Sequence, residues 1–182
     1  MTKRLLLLTG SPGVGKTTVL LKVVEGLRAE GYHVGGMISR EVRSRDIRVG
    51  FEILGLESSA HGWLANVNQK TGPRVGRYRV NLADLENLGA ESVLKAAESC
   101  DVVVIDEVGP MELFSRKFEE AAEKAVESSK LVVGIVHWKA RSRLIDEMKA
   151  REDAQIFIVT IENRDSLHKI VLGKALEFLG RD

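Results

Sequence analysis

The sequence predicts a three-layer α/β fold, a mostly parallel central sheet with helices on both faces. Three observations predict it. Apolar strand-like runs alternate with amphipathic helical segments along most of the chain. The run from Asp101 to Asp106 is continuous valine and isoleucine rather than alternating, as a strand buried on both faces of a parallel sheet requires. A glycine-rich stretch, GSPGVGKTT at residues 10–18, joins the first strand directly to the first helix. With 182 residues, 44% of them hydrophobic, the chain has enough apolar surface for one domain spanning residues 1–182.

Leu5 to Thr9 reads as a short buried strand. Lys16 to Glu30 reads as a helix with Val19, Leu20, Val23, Val24 and Leu27 on one face, closed by Gly31. His33 to Ser39 and Ile47 to Leu54 read as two strands joined by the basic connection EVRSRD, most simply a hairpin. Residues 55–76 read as loop, with turn residues at Thr71-Gly72-Pro73 and Gly76, before the strand-like RYRVNL. An amphipathic helix over Leu85 to Ser99 feeds the valine strand. After it come a helix from Arg116 to Ser128, a strand from Leu131 to Val136, and a helix from Ala140 to Lys149. A strand from Ile156 to Thr160 and a final helix from Asp165 to Leu179 complete the pattern.

Composition excludes several classes of function. Twenty-seven basic residues stand against 26 acidic ones, so the overall balance gives no attraction to a polyanion or an anionic membrane. A lone Cys100 cannot form an intrachain disulfide, and four scattered histidines lack ligand spacing, so a cytoplasmic protein without a structural metal is expected. The apolar run after MTKR stops at Leu8, too short for a signal peptide core, and no stretch approaches the roughly 20 apolar residues of a membrane span. Charged residues reach 29%, as in heat-adapted proteins.

Gly10-x-x-x-x-Gly15-Lys16-Thr17 fits a phosphate-binding loop between a strand and a helix. The loop residues Gly10, Ser11, Pro12, Gly13, Val14 and Gly15 turn backbone N–H groups inward around an anion, and the helix adds its positive dipole end. Lys16 reaches the β and γ phosphates, Thr17 offers a hard oxygen to Mg²⁺, and Thr18 continues the first turn. A chance match in a chain this long is about one in a hundred, and the strand and helix context lowers it further.

The second motif is VVVIDEVGPMEL. Asp106 ends a buried strand, where an unpaired carboxylate is costly unless it serves a cation, so it is assigned to Mg²⁺, directly or through a water. Glu107, next to it, is placed to orient and deprotonate an attacking water. Further along, His137 is a candidate γ-phosphate sensor. Arg141 and Arg143 are candidates for a lid or an arginine finger, against the alternative of a solvated helix start. Asn163 and Arg164 follow the last strand, where base and ribose are expected; Asp165 joins them or caps the final helix. Arg40, Arg43, Arg45 and Arg48 form either a second phosphate-binding surface or an exposed charged tip.

These residues resemble a known family, the small P-loop nucleoside-triphosphatases of thermophilic microbes, whose animal members are called cancer-related nucleoside-triphosphatase. The resemblance rests on GSPGVGKTT, REVRSRDIRVGFEILGL, RVGRYRVNL, IDEVGPMELFS and VTIENRDSL, and covers nearly the whole chain. It implies a P-loop NTPase fold with a RecA-like sheet, and slow Mg²⁺-dependent hydrolysis of ATP, GTP, CTP, UTP and TTP to diphosphate and phosphate. It implies Lys16 and Thr17 at phosphate and Mg²⁺, Asp106 at the metal and Glu107 at the water. A monomer acting on nucleoside triphosphates is expected. Two alternatives remain at this point: a small-molecule or nucleotide kinase using the arginines as a lid, and a nucleotide-dependent nucleic-acid-binding module using the basic hairpin.

Overall fold

In a computed structural model that describes residues 2–180, Leu5–Thr9 forms β1 with all five residues buried. Its neighbours explain why. β1 lies between β8 (Leu131–Val136) and β9 (Ala154–Ile158), parallel to both, and β8 pairs in turn with β7 (Val102–Val108). β7 is also parallel to β2 (Val34–Ser44). Alternate residues of these strands enter two separate cores. Leu5, Leu7, Val103, Ile105, Val132 and Val136 face one side, and Leu6, Leu8, Val102, Val104, Val133 and Ile135 the other. Because both faces are apolar, both need covering. Helices α3 (Glu91–Ser99), α4 (Arg116–Glu127) and α5 (Arg143–Ala150) cover the first face; α1 (Lys16–Ala29) and α6 (Leu167–Leu179) cover the second.

The parallel order β2-β7-β8-β1-β9 inserts β8 between the strand that feeds the glycine loop and the strand that carries Asp106 and runs on to Val108. This is the RecA-like, three-layer arrangement that the resemblance implied. Four antiparallel strands extend the sheet: β3 (Ile47–Gly55), β4 (His61–Asn66), β5 (Arg74–Val75) and β6 (Tyr78–Val80), in the order β5-β6-β4-β3 beyond β2. Strand β4 lies in the stretch that sequence patterning reads as loop. Its burial does not alternate, since Leu64, Ala65 and Asn66 are all buried in succession, and a register shift opposite Phe51 and Glu52 interrupts the ladder, so no clean period marks it.

The hairpin is longer than patterning suggests. EVRS continues β2, and the turn is only Arg45-Asp46, both with positive φ (47° and 63°), as a tight primed turn demands. β2 pairs with β7 only as far as Met37, so its basic outer half runs on with β3 alone.

Helix ends follow local chemistry. Gly31, at φ 90°, ends α1 as expected, its N–H bonding Arg28 O while Tyr32 N–H bonds Leu27 O. The next helical stretch starts at α2 (Leu82–Asp84), where Asn81 Oδ1 accepts the Asp84 N–H, and passes through a π-helical segment, Leu85–Ala90, into α3. α5 begins three residues later than expected because Ser142 Oγ caps the Ile145 N–H, which leaves 137–142 as a loop. Asp165 does not cap α6: the helix starts at Leu167 after Ser166, and Asn163 O takes the N–H groups of both Ser166 and Leu167.

Candidate active site

The loop after β1 is shaped by its glycines. Gly10 lies at φ 150°, and a Cβ there would come within 2.6 Å of Val159 O, so the neighbouring strand end leaves no room for a side chain. Gly13, at φ 74°, meets nothing within 4 Å; backbone conformation alone requires glycine there. Gly15 heads α1 without a side-chain cap, and the first turn of the helix carries no acidic residue. No side chain caps the first-turn N–H groups, and the positive end of the helix dipole stands at the loop, an arrangement suited to phosphate. Lys16 folds over this cradle, its Nζ donating to Gly10 O (2.9 Å) and Ser11 O (3.0 Å).

Thr17, one residue on, faces the other motif. Its Oγ1 donates to Asp106 Oδ2 at 2.8 Å, which joins the start of α1 to the end of β7 across the intervening strand. Asp106 is buried, and among the described residues no cationic side chain bonds it. Burial and the nearby Glu107 carboxylate push its carboxyl up to about 7, against the opposing pull of Thr17, the Ser39 amide and Lys16. Glu107 follows at a register shift between Asp106 and Val108, where the bulge turns its side chain relative to the regular ladder. Burial raises its carboxyl above the usual range while the Lys16 charge lowers it. A carboxylate raised in this way is a better proton acceptor near neutral pH.

His137 leaves β8 with its N–H bonded to Val108 O at 3.0 Å, directly beside the Asp106–Glu107 strand end. Its Nδ1 accepts the N–H groups of Ala140 (2.9 Å) and Lys139 (3.3 Å), which holds the proton on Nε2. Burial, then Lys16 and Lys149, lower its pKa, so the ring is neutral at neutral pH. Arg164 reaches back to the loop: its Nη1 donates to Val14 O at 3.4 Å and its Cδ lies alongside Gly15. Asn163 is spent on its own loop, with Oδ1 accepting the Thr160 N–H and Nδ2 donating to Ile158 O. Ser11, Pro12, Gly13 and Thr18 are exposed along the rim.

Residues 5–172 match the protein family described as NTPase. The chain belongs to that family. It is 43% identical over 168 residues to nucleoside-triphosphatase THEP1 of Thermofilum pendens, covering 92% of each chain. It is also 43% identical over 173 residues to the protein of the same name from Methanopyrus kandleri, covering 94% of this chain and 95% of that one. Among solved structures, THEP1 of Aquifex aeolicus superposes with a TM-score of 0.80 at 29% identity, over 92% of this chain and 96% of that one. A human cancer-related nucleoside triphosphatase superposes with a TM-score of 0.79 at 35% identity, over 93% and 96%.

Not every candidate residue of this NTPase converges. Lys16, Thr17, Asp106 and Glu107 come together, with His137 and Arg164 on either side. Arg141 and Arg143 are held elsewhere. Arg141 Nε bonds Asp146 at 3.0 Å, and Arg143 is clasped by Glu123, by Glu147 at 3.0 Å and by Glu119 at 3.7 Å, between α4 and α5. Arg143 thus sits at the exposed start of α5 with three carboxylates around it, and Arg141 in the exposed loop before it.

One acid that the motif reading passed over joins the group. Glu112, in a short helical turn (Glu112–Phe114) after β7, is only 2% exposed. Burial, then Glu107 and Asp106, raise its carboxyl well above the usual range, while the amides of Glu112 itself and Gly109 favour the charged form. It lies in the IDEVGPMELFS motif that carries the resemblance, but the sequence assigns it no role. Burial is what singles it out, and burial is decided by the packing of other segments.

Proposed function

We propose that this NTPase hydrolyses nucleoside triphosphates of several bases to diphosphate and phosphate with Mg²⁺. Lys16 and the loop amides hold the β and γ phosphates, Arg164 lies toward the nucleoside, and Glu107 takes the proton of the attacking water. The observation that carries this reading is the 2.8 Å bond from Thr17 to the buried Asp106, which no cationic side chain bonds among the described residues, with Glu107 as the next residue. Mg²⁺ binds hard oxygens, keeps most of its water, and needs only one or two protein ligands beside the phosphates. Thr17 Oγ1 and the Asp106 carboxylate fit that requirement. Among the described residues no cluster of three or more acidic, histidine or cysteine side chains could hold a metal alone, so the ion would arrive with the nucleotide. When bound, it would neutralise phosphate charge as the terminal P–O bond breaks.

Glu107 acts on the water. Its carboxylate accepts the proton as the oxygen attacks the γ phosphorus, and Lys16 balances charge moving toward the β–γ bridge oxygen. Broad base use is supported by the lack of an Asn-Lys-x-Asp guanine-reading motif. The features that favoured the other two readings are otherwise engaged. Of the arginines offered as a kinase lid, Arg143 is ion-paired between α4 and α5 and Arg141 with Asp146, and three of the four hairpin arginines pair within the hairpin, Arg40 with Glu52 and Arg43 and Arg48 with Glu41.

The test is acceptor-free phosphate release with Mg²⁺ and a panel of ATP, GTP, CTP, UTP and TTP, alongside Glu107→Gln. The kcat/KM values are expected within roughly tenfold of one another, about 1.4 kcal/mol of discrimination. Glu107→Gln is expected to keep MgATP affinity and to lose about 10² to 10⁴ in rate. Parent-rate hydrolysis by the glutamine variant removes Glu107 as the base, and a thousandfold preference for one base removes broad specificity.

A further inference from the structure

Glu112 is a buried carboxyl with no cationic partner among the described residues, and the reaction outlined above gives it no role. Such a group is expensive to keep inside a protein, so it points to work that an apolar side chain could not do. Its position identifies that work. β7 ends just after Glu107, and the chain turns through Gly109 and Pro110 into the helical turn bearing Glu112; Leu113 N–H closes the turn onto Gly109 O at 3.0 Å. Glu107 and Glu112 meet across Gly109. A Cβ on that glycine would lie 2.7 Å from Glu107 Oε1 and 3.3 Å from Glu112 Oε2. Gly109 does not have a positive φ, so its backbone does not demand glycine. The need is for space, and the space holds the Glu107 carboxylate.

We propose that Glu112 is a positioning residue for hydrolysis: from the far side of Gly109 it fixes the turn after β7 and confines the Glu107 carboxylate to the orientation in which it meets the attacking water. The Gly109 amide faces the Glu112 carboxylate, so the acid anchors the backbone of the turn. Its buried side chain also fills the space on its side of Gly109, which leaves Glu107 no room to swing toward the turn. Glu112 touches neither nucleotide nor water. This inference rests on Glu107 as the base.

The experiment is a double-mutant cycle. Nucleotide affinity, thermal melting and single-turnover phosphate release are measured for the parent, Glu107→Gln, Glu112→Ala and the double variant. Glu112→Ala is expected to bind MgATP as the parent does and to lose on the order of 10²-fold in rate, the cost of misplacing a reacting group by about an ångström. In the Glu107→Gln background the same change is expected to cost less than about threefold, because the group that it positions no longer accepts a proton. Glu112→Gln, which retains an oxygen for the Gly109 amide, is expected to recover most of the rate. Gly109→Ala repeats the test with both acids present: its methyl displaces the Glu107 carboxylate, with loss of rate and parent-level affinity expected.

A parent rate in Glu112→Ala overturns the proposal, and so does an undiminished loss in the Glu107→Gln background. If Glu112→Ala does not fold, Gly109→Ala decides, and a parent rate there is equally fatal. Parent-rate hydrolysis by Glu107→Gln alone is a different failure, that of the base assignment itself.

Discussion

Lys16 donates both of its recorded hydrogen bonds to carbonyls of its own loop, at 2.9 and 3.0 Å. Carbonyl oxygens are weak partners for a full positive charge compared with phosphate oxygens, so the ammonium is expected to exchange them for a bound triphosphate. Lys16→Ala should therefore weaken MgATP binding and abolish turnover while leaving the fold intact, since the side chain packs into no core. A variant that melts normally and still hydrolyses ATP at the parent rate would refute the phosphate-loop assignment. Thr17 differs from it in kind. Its hydroxyl already faces Asp106, so its oxygen is positioned before any ligand arrives.

Individual elements are tied down by single polar side chains at their ends. Ser115 is the clearest case, buried at the start of α4, with Oγ accepting the Phe118 N–H at 3.1 Å and donating to Glu86 Oε1 at 3.0 Å. One hydroxyl thus caps α4 and links it to the π-helical segment beside α3. Ser115→Ala removes both bonds and leaves a buried N–H without a partner, so it should cost about 1–2 kcal/mol. Chemical denaturation should show the loss as a lower midpoint with an unchanged slope. A midpoint equal to the parent's would show that the cap is dispensable. Because α4 begins directly after the turn carrying Glu112, the same variant should also lower the hydrolysis rate modestly if the element holds that turn in place.

Across the whole molecule, the acids at the end of β7 set a dependence of stability on pH. Asp106 rises from 3.8 to about 7 on burial, and Glu107 and Glu112 shift in the same direction. A carboxyl whose value is higher folded than unfolded binds more protons in the folded state. Its contribution is complete below the unfolded value and is lost as pH rises through the folded one. The nucleotide-free protein should therefore melt at lower temperature at about pH 8 than at about pH 5, with Asp106 alone accounting for up to a few kcal/mol. Asp106→Asn should flatten that slope, because an amide pays no penalty for ionising while keeping an oxygen for Thr17. A parent whose melting midpoint is level or rises over this window, or a variant with an unchanged slope, would show that the cluster is not the cause.

The sequence by itself determined the parallel heart of the sheet and the glycine loop, and it singled out Asp106 and Glu107 as the acids to join that loop. The sheet strands and the loop are local features; the meeting of Thr17 with Asp106 across β8 is tertiary. Continuous valines force a strand buried on both faces, and the glycines, lysine and threonine must sit at fixed spacing for their atoms to surround one phosphate. The resemblance drawn from longer motifs agreed with the NTPase family match. Tertiary structure decided the rest, because burial and ion pairing depend on what other segments bring. Arg141 and Arg143 looked available until α4 supplied Glu119 and Glu123 and α5 supplied Asp146 and Glu147. Strand β4 carries little period of its own and exists because β3 and β6 offer it partners. Glu112 has no role of its own to be read from the sequence; the turn after β7 places it against Gly109 beside Glu107, where the surrounding core buries it and leaves Glu107 half-buried.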